Sequence, residues 1–247
     1  GLGEYVFFGS QDFFILLLIA FGAAVVQGTL GFAFGMVAMA LAALVIDVRT
    51  ASILVSPLAF VNVSTTLWSV RRSIRWKLVL PVVGGTLVGI PFGLAILLGG
   101  NLILIRVLVS ALLVYVGVTN LIGFKVRKHA LPGWVAAVAG LGVGVIGGAT
   151  NIGGPPLVAY ASRQPWDAET FKATLLTTFF VSSGTKSTLL IANGAIDARM
   201  LACIAGLVPA IVAGSLIGVH LFNRINKDKF KRVISWALLA LAVLVQV

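Results

Sequence analysis

The stretch Gly147-Gly-Ala-Thr-Asn-Ile-Gly-Gly-Pro-Pro-Leu157 interrupts a long hydrophobic segment in the second half of the chain. A looser counterpart, Gly28-Thr-Leu-Gly-Phe-Ala-Phe-Gly35, lies about 120 residues earlier. Glycine and proline both interrupt helices, because glycine adds backbone freedom and proline lacks a donor and clashes with the preceding turn. Broken helices at corresponding positions of two halves indicate the binding site of a membrane transporter.

The composition predicts a membrane protein built only from helices. The 247 residues are 60% hydrophobic and 10% charged, whereas a soluble domain is about 25% charged. Apolar runs near 20 residues recur, and each could cross roughly 30 Å of hydrocarbon. The short alternating strands of a β-barrel are not seen in the sequence. The net charge of +11 comes from short loops, where Lys and Arg set topology, so it does not indicate binding to nucleic acid.

Eight apolar segments are expected, and two of them differ from the rest. The eight are Phe13–Ile46, Ala51–Val70, Leu78–Leu98, Leu102–Phe124, Trp134–Ser162, Thr170–Ala192, Leu201–Phe222 and Val233–Val247. As a single helix the first would measure about 50 Å, too long for one crossing. The fifth contains the Gly-Pro break. We therefore predict that each consists of two half-segments joined by a bend, either re-entrant or as two short spans.

Three basic clusters test this topology, namely Arg71–Lys77, Lys125–Lys128 and Arg224–Arg232. Positive residues favour the cytoplasmic side. Two spans separate the first two clusters, which places both inside. The third cluster lies on the cytoplasmic side only if the segment Trp134–Ser162 enters and leaves the membrane on the same side. The prediction is a multi-pass protein of the inner (plasma) membrane with both termini outside.

The order of elements predicts an internal repeat. Each half contains a bent hairpin followed by three spans, and three crossings invert the second half relative to the first. The expected units are residues 1–124, a cytoplasmic linker at 125–133, and residues 134–247. Inverted repeats are typical of secondary transporters, which place the site between the repeats near the bilayer midplane.

The two breaks and the eight-segment chain resemble the sulfite exporter TauE/SafE family, also called the 4-toluene sulfonate uptake permease family. The resemblance covers essentially the whole chain. The stretch Gly147–Leu157 carries it most specifically, and Gly28–Gly35 matches more loosely. Membership implies transport of small sulfur-containing anions such as sulfite, thiosulfate or an organosulfonate like sulfoacetate.

The residues themselves also point to an anion. The returning half-helices, Phe34–Ile46 and Pro155–Ser162, would begin near the midplane and expose N–H groups with partial positive charge. Lys186 is the one charged residue near the middle of a predicted span, and no carboxylate lies at that depth. A charge inside a membrane is functional by default, although a lysine near a span end could instead reach the surface.

We predict a substrate site formed by the two bends and by polar positions of the following spans. Its expected members are Gln27, Gly28, Thr29, Gly31, Asn62, Thr66, Thr150, Asn151, Gly153, Gly154, Pro155, Ser182, Ser183 and Lys186. Glycines at the bends could equally serve close helix packing, and the hydroxyl and amide groups could join helices to one another.

Other functions are less well supported by the sequence. An anion channel or a uniporter of the same fold remains an alternative to a carrier. An intramembrane enzyme is disfavoured because His, Asp, Glu and Cys do not cluster within the predicted spans. No metal site, cofactor or ATP-binding motif is predicted. The expected partners are a small anionic substrate and the lipid bilayer, and a homo-oligomer remains open.

Overall fold

The computed structural model describes residues 11–31, 33–99, 102–122 and 131–221, together with positions 236 and 239. Within these ranges every regular element is a helix, which confirms the predicted fold class. The helices are α1 (Gln11–Leu30), α2 (Phe34–Ala42), α3 (Val48–Val70), α4 (Trp76–Gly99), α5 (Leu102–Ile122), α6 (Gly133–Thr150), α7 (Gly154–Ala161), α8 (Ala168–Ala192) and α9 (Ala198–Leu221), and a 3₁₀ turn covers Arg71–Ser73.

Six of these helices are long and apolar enough to cross a bilayer: α1, α3, α4, α6, α8 and α9. Large apolar side chains on several of them are exposed, including Leu18, Leu80 and Phe92. Such an exposed apolar surface suits contact with lipid rather than water. The chain is therefore a multi-pass membrane protein. The predicted segment Val233–Val247 and both termini lie outside the described residues, apart from positions 236 and 239.

Both over-long segments are bent, but they do not divide into halves as we expected. The first arms, α1 and α6, contain 20 and 18 residues and measure about 30 and 27 Å, enough for a crossing. The second arms, α2 and α7, contain only 9 and 8 residues. Each bend therefore follows a full-length helix, and this corrects the prediction of two half-segments.

The unequal division arises because most of the glycines remain helical. Gly28 lies inside α1, and Gly147 and Gly148 lie inside α6. A Cβ at Gly28 would overlap the backbone of Gly218, and one at Gly148 would lie only 3.0 Å from the backbone of Ile90. Small residues of this kind allow membrane helices to approach closely. The breaks come later, at Gly31 and Asn151, both of which have a positive backbone φ.

Two helix pairs form the sides of the molecule. The helix α4 packs along α6, and α1 packs along α9, while α3 and α8 contact each other between them. Gly89 meets Gly144 in the first pair, and Gly28 meets Gly218 in the second.

Aspartates fix the beginnings of the two central helices. The Asp47 carboxylate accepts hydrogen bonds from the backbone N–H groups of Arg49 and Thr50, each at 3.0 Å. The Asp167 carboxylate accepts from Thr170 N–H at 2.7 Å, and the hydrogen bonds from Thr170 hold the pKa of Asp167 below its usual range, with a smaller contribution from Arg75. Such N-caps satisfy donors that the first helical turn leaves unpaired.

Adjacent glycines of α4 test the close packing on α6. A Cβ at Gly85 would overlap the carbonyl oxygen of Ala137, whereas a Cβ at Gly84 would meet nothing within 4 Å. We expect Gly85→Ala to destabilise the protein by about 1–3 kcal/mol through overpacking. Gly84→Ala should be neutral or slightly stabilising, since alanine favours a helix. Thermal unfolding in detergent measures both, and equal melting temperatures for the two variants would contradict the packing.

Candidate functional site

Both bends turn the chain through a residue in the left-handed region. Gly31 has φ +86° and Asn151 has φ +59°, and glycine and asparagine are the residues that adopt this region most easily. The N–H of Gly31 donates to the carbonyl of Gln27 at 2.6 Å, and the N–H of Asn151 donates to the carbonyl of Gly147 at 2.8 Å. The two first arms therefore end in the same way.

The second arms bring the two bends into contact. Gly35, in the first turn of α2, lies against the backbone carbonyl oxygen of Asn151, and a Cβ at Gly35 would overlap that oxygen. Only glycine permits this approach. The start of α2 and the end of α6 thus meet although they lie far apart in sequence.

Gln27 holds the first bend together. Its Oε1 accepts a hydrogen bond from the N–H of Phe34 at 2.8 Å, and its Nε2 donates to the carbonyl of Gly31 at 3.4 Å. The amide therefore satisfies one of the donors that the start of α2 leaves unpaired. Gln27 is buried at 1% exposure, so this capping occurs inside the protein.

Lys186 lies at the second bend with its ammonium group buried. The side chain is 2% exposed, which excludes the alternative that it reaches the membrane surface. Its Nζ donates to Ser52 Oγ at 3.0 Å, to Asn151 Oδ1 at 3.0 Å and to the carbonyl of Gly147 at 3.3 Å. A lysine has three donors, and here each one meets an uncharged oxygen.

Serines of α3 orient the amide of Asn151. Its Nδ2 donates to the carbonyl of Ser52 at 2.6 Å, and its Oδ1 accepts from Ser56 Oγ at 2.9 Å as well as from Lys186. The amide oxygen is therefore directed toward the cation. This network joins α3, α8 and the second bend around one positive charge.

A cavity opens beside this network, between the two bends and the central helices. Its volume is about 530 Å³ including open solvent. Polar or glycine positions on its wall are Gln27, Gly35, Gly147, Asn151, Gly153, Gly154, Ser182, Ser183 and Lys186. The apolar positions are Phe34, Met36, Ala59, Val63 and Phe179. The wall therefore combines one cation, several hydrogen-bonding groups and an apolar surface.

The structure brings half of the predicted site residues together at this cavity. The predicted residues that line it are Gln27, Asn151, Gly153, Gly154, Ser182, Ser183 and Lys186. The hydroxyl of Ser183 donates to the carbonyl of Phe179 at 2.6 Å, so it could only accept from a ligand. They share the cavity because the bends meet and because one face of α8 turns toward them.

The other predicted residues do not line the cavity, and most of them serve the helices themselves. Those seven are Gly28, Gly31, Thr29, Asn62, Thr66, Thr150 and Pro155. Asn62 faces α9, where its Nδ2 donates to Ser215 Oγ at 2.7 Å. The hydroxyls of Thr29 and Thr66 donate to carbonyls of their own helices.

Of the remaining four, Gly28 packs against the backbone of Gly218, and the other three belong to the bends rather than to the wall. Thr150 Oγ1 donates to the carbonyl of Ile146 and accepts from the N–H of Ile152. Gly31 packs against the side-chain carbons of Lys172. Pro155 is buried near the start of α7, where its missing N–H costs no intrahelical bond.

Several wall residues come from positions that are 120 apart in the chain. These pairs are Gln27 with Gly147, Phe34 with Gly154, Ala59 with Phe179, and Val63 with Ser183. Phe60 and Phe180, which have the same separation, pack their rings against each other with centroids 4.9 Å apart. Four pairs of wall residues therefore share one separation along the chain.

Sequence reasoning missed the serines of α3. Ser52 and Ser56 contact Lys186 and Asn151 directly, yet hydroxyl groups are common in membrane helices and carry no distinctive spacing. The glycine Gly35 was quoted only as part of the looser break, although its contact with Asn151 joins the two bends.

Comparison with known proteins identifies the family of this chain. The family described as sulfite exporter TauE/SafE matches residues 16–245. The chain belongs to the sulfite exporter TauE/SafE family. The match includes both bends and all the residues that line the cavity, and it confirms the resemblance found in the sequence.

A curated relative is similar over most of both chains. It is the "Probable sulfite/organosulfonate exporter TauE" of Cupriavidus necator, 24% identical over 197 residues, which cover 78% of this chain and 77% of the relative. No solved structure matches this chain significantly. Membership places the protein in a family of membrane transporters, and the geometry of the cavity is the evidence for its site.

The backbone of the second bend can be tested separately from its side-chain contacts. Asn151→Gly and Asn151→Ala both lose the hydrogen bonds to Ser52 and Lys186, but only alanine is strained at φ +59°. We expect Asn151→Ala to be less stable than Asn151→Gly by roughly 1–2 kcal/mol, the cost of a left-handed residue with a Cβ. Thermal unfolding of the two variants measures the difference, and identical stabilities would contradict the turn.

Proposed function

We propose that the protein is a secondary carrier of small sulfur-containing anions and that it binds them between its two bends. The candidates are sulfite, thiosulfate or an organosulfonate such as sulfoacetate. The single observation that carries the proposal is the buried ammonium of Lys186 on the wall of the cavity, surrounded only by neutral oxygens. Membership of the transporter family supports it.

The charge balance favours an anion as the missing partner. A buried cation without a counter-charge is costly, and proteins pair such groups. The wall contains no Asp or Glu among its lining residues. An anion in the cavity would neutralise Lys186 without requiring another protein residue to move into the site.

Backbone and hydroxyl groups supply further donors. Gly35 in the first turn of α2 and Gly153 and Gly154 at the start of α7 lie on the wall, where helix starts favour negative charge. The hydroxyl of Ser182 also lies on the wall. Together these groups could hold the oxygens of a sulfite or sulfonate group.

The contacts between helices support two inverted repeats, with residues 1–124 and 134–247 as the repeats and 125–133 as the linker. If α1 corresponds to α6 and α4 to α9, the packing of α1 on α9 matches that of α6 on α4, which is the arrangement observed. Transporters built from inverted repeats bind substrate between them near the bilayer midplane and expose the site to each side in turn.

We infer the direction of transport from the curated relative and the orientation in the membrane from the basic clusters. The curated relative is described as an exporter, and we extend that direction to this chain. We place the protein in the inner (plasma) membrane with both termini outside, as the basic clusters predict.

An inside-negative potential favours anion exit by about 2.3 kcal/mol per charge at 100 mV. A uniporter or an anion channel of this fold would exploit the same potential, and saturable flux with slow turnover in liposomes distinguishes the carrier.

Removal of the buried charge tests the site. We expect Lys186→Met to abolish anion-dependent thermal stabilisation and flux in proteoliposomes, because the cavity loses its only cation. The control is Lys77→Met, since Lys77 is exposed on α4. In the wild type an anion at 100 times its Kd stabilises by about 2.7 kcal/mol. Retained binding in folded Lys186→Met protein would overturn the proposal.

A sharper test neutralises the charge of Lys186 by a substitution that keeps the size of the neighbouring side chain. Asn151→Asp replaces the amide oxygen 3.0 Å from Lys186 Nζ with a carboxylate of the same size. Aspartate cannot donate the hydrogen bond that Asn151 Nδ2 makes to the carbonyl of Ser52, so a thermal melt first establishes that the variant folds. The folded variant should bind anions at least ten times more weakly, a loss of about 1.4 kcal/mol, because its new carboxylate neutralises Lys186. Anion binding equal to that of the wild type would show that Lys186 does not attract the substrate.

A further inference from the structure

The wall of the cavity has a single formal charge, and this limits the net charge of a substrate that the cavity can bind. We propose that the site selects monoanions with a small apolar remainder over dianions and over zwitterions. The inference rests on the proposed function, because it concerns the same cavity and the same lysine. Among the candidate substrates it favours hydrogensulfite and sulfonates with one negative charge, and it disfavours thiosulfate and sulfoacetate, which carry two negative charges at neutral pH.

The first support is the charge of the wall. Lys186 is the only ionisable side chain among the residues that line the cavity, and the side chains of Gln27, Asn151, Ser182 and Ser183 are neutral. One bound negative charge makes the occupied site neutral. A second negative charge would remain uncompensated in a buried site, where isolated charges are costly.

The helix starts do little to offset a second charge. The helix α7 begins Gly154-Pro155-Pro156, and proline has no N–H to donate. At the start of α2 the N–H of Phe34 already donates to Gln27 Oε1 at 2.8 Å. To hold a second negative charge without a second cation, the site would need many backbone N–H groups that point toward the ligand. The starts of α2 and α7 offer few such groups.

The second support is the apolar part of the wall. Phe34, Met36, Ala59, Val63 and Phe179 form it, so a ligand with a short hydrocarbon group can bury that group while its sulfonate approaches Lys186. Burial of apolar surface contributes about 25 cal/mol per Å². A fully hydrated oxyanion gains nothing from this surface.

An ammonium on the ligand has no acidic partner in the cavity. The acidic residues within the described ranges are at or near the starts of helices or in the turns between them, and none lines the cavity: Asp12, Asp47, Asp167, Glu169 and Asp197. A zwitterionic sulfonate would therefore place its positive group beside Lys186 or against the apolar wall, and either position is unfavourable.

A series of sulfonates on one carbon skeleton tests the inference. The probes are ethanesulfonate with one negative charge, ethane-1,2-disulfonate with two, and 2-aminoethanesulfonate with no net charge. Their dissociation constants are measured by isothermal titration calorimetry on the full chain in detergent, at constant ionic strength. We expect ethanesulfonate to bind at least about tenfold more tightly than either of the others, a difference of 1.4 kcal/mol.

The outcomes separate this inference from the proposed function. If ethane-1,2-disulfonate or 2-aminoethanesulfonate binds as tightly as ethanesulfonate, the charge selection is wrong and the anion site stands. If no sulfonate, sulfite or thiosulfate binds, the proposed function itself fails. If folded Lys186→Met protein still binds ethanesulfonate and still prefers it, both proposals are overturned. Tighter binding of ethanesulfonate than of the other two ligands by the wild-type protein supports the inference.

Discussion

The site depends on a buried ammonium whose protein partners are all uncharged. Lys186 donates to Ser52, to Asn151 and to the carbonyl of Gly147, so one side chain of α8 joins α3, the end of α6 and the second bend. These hydrogen bonds satisfy its donors but leave its charge uncompensated. Since a charge inside a membrane protein requires a counter-charge or water, the same contacts that fix the packing also support the proposal that the ligand is an anion.

The bends place this charge beside a cavity. Gly31 and Asn151 turn the chain through positive φ, and Gly35 allows the second arm of one bend to touch the backbone of the other. Close packing of α4 on α6 and of α1 on α9 holds the long arms. The cavity wall includes four pairs of residues that lie 120 positions apart in the chain, and Lys186 is the only charged residue on it.

Some of this could be predicted from the sequence and some could not. The breaks were visible because glycine and proline stand out in an apolar run, and Lys186 was visible because it is the only charge in the middle of a span. The sequence did not reveal which neighbouring helix a polar side chain contacts. Asn62 donates to Ser215 on α9, whereas Ser52 accepts from Lys186 on α8. In a helix that is apolar on every side, periodicity does not reveal which face turns inward. The prediction of where α1 and α6 end was also wrong, because packed glycines such as Gly148 remain helical.

The most direct test of the central claim is a structure of the protein with a bound anion that contains a heavy atom, such as 2-bromoethanesulfonate, located by its anomalous signal. The account predicts the sulfonate between the two bends, within hydrogen-bonding distance of Lys186 Nζ, and the bromine against Phe34 and Phe179. An anion bound at a surface site, with Lys186 still held only by Ser52, Asn151 and Gly147, would contradict it.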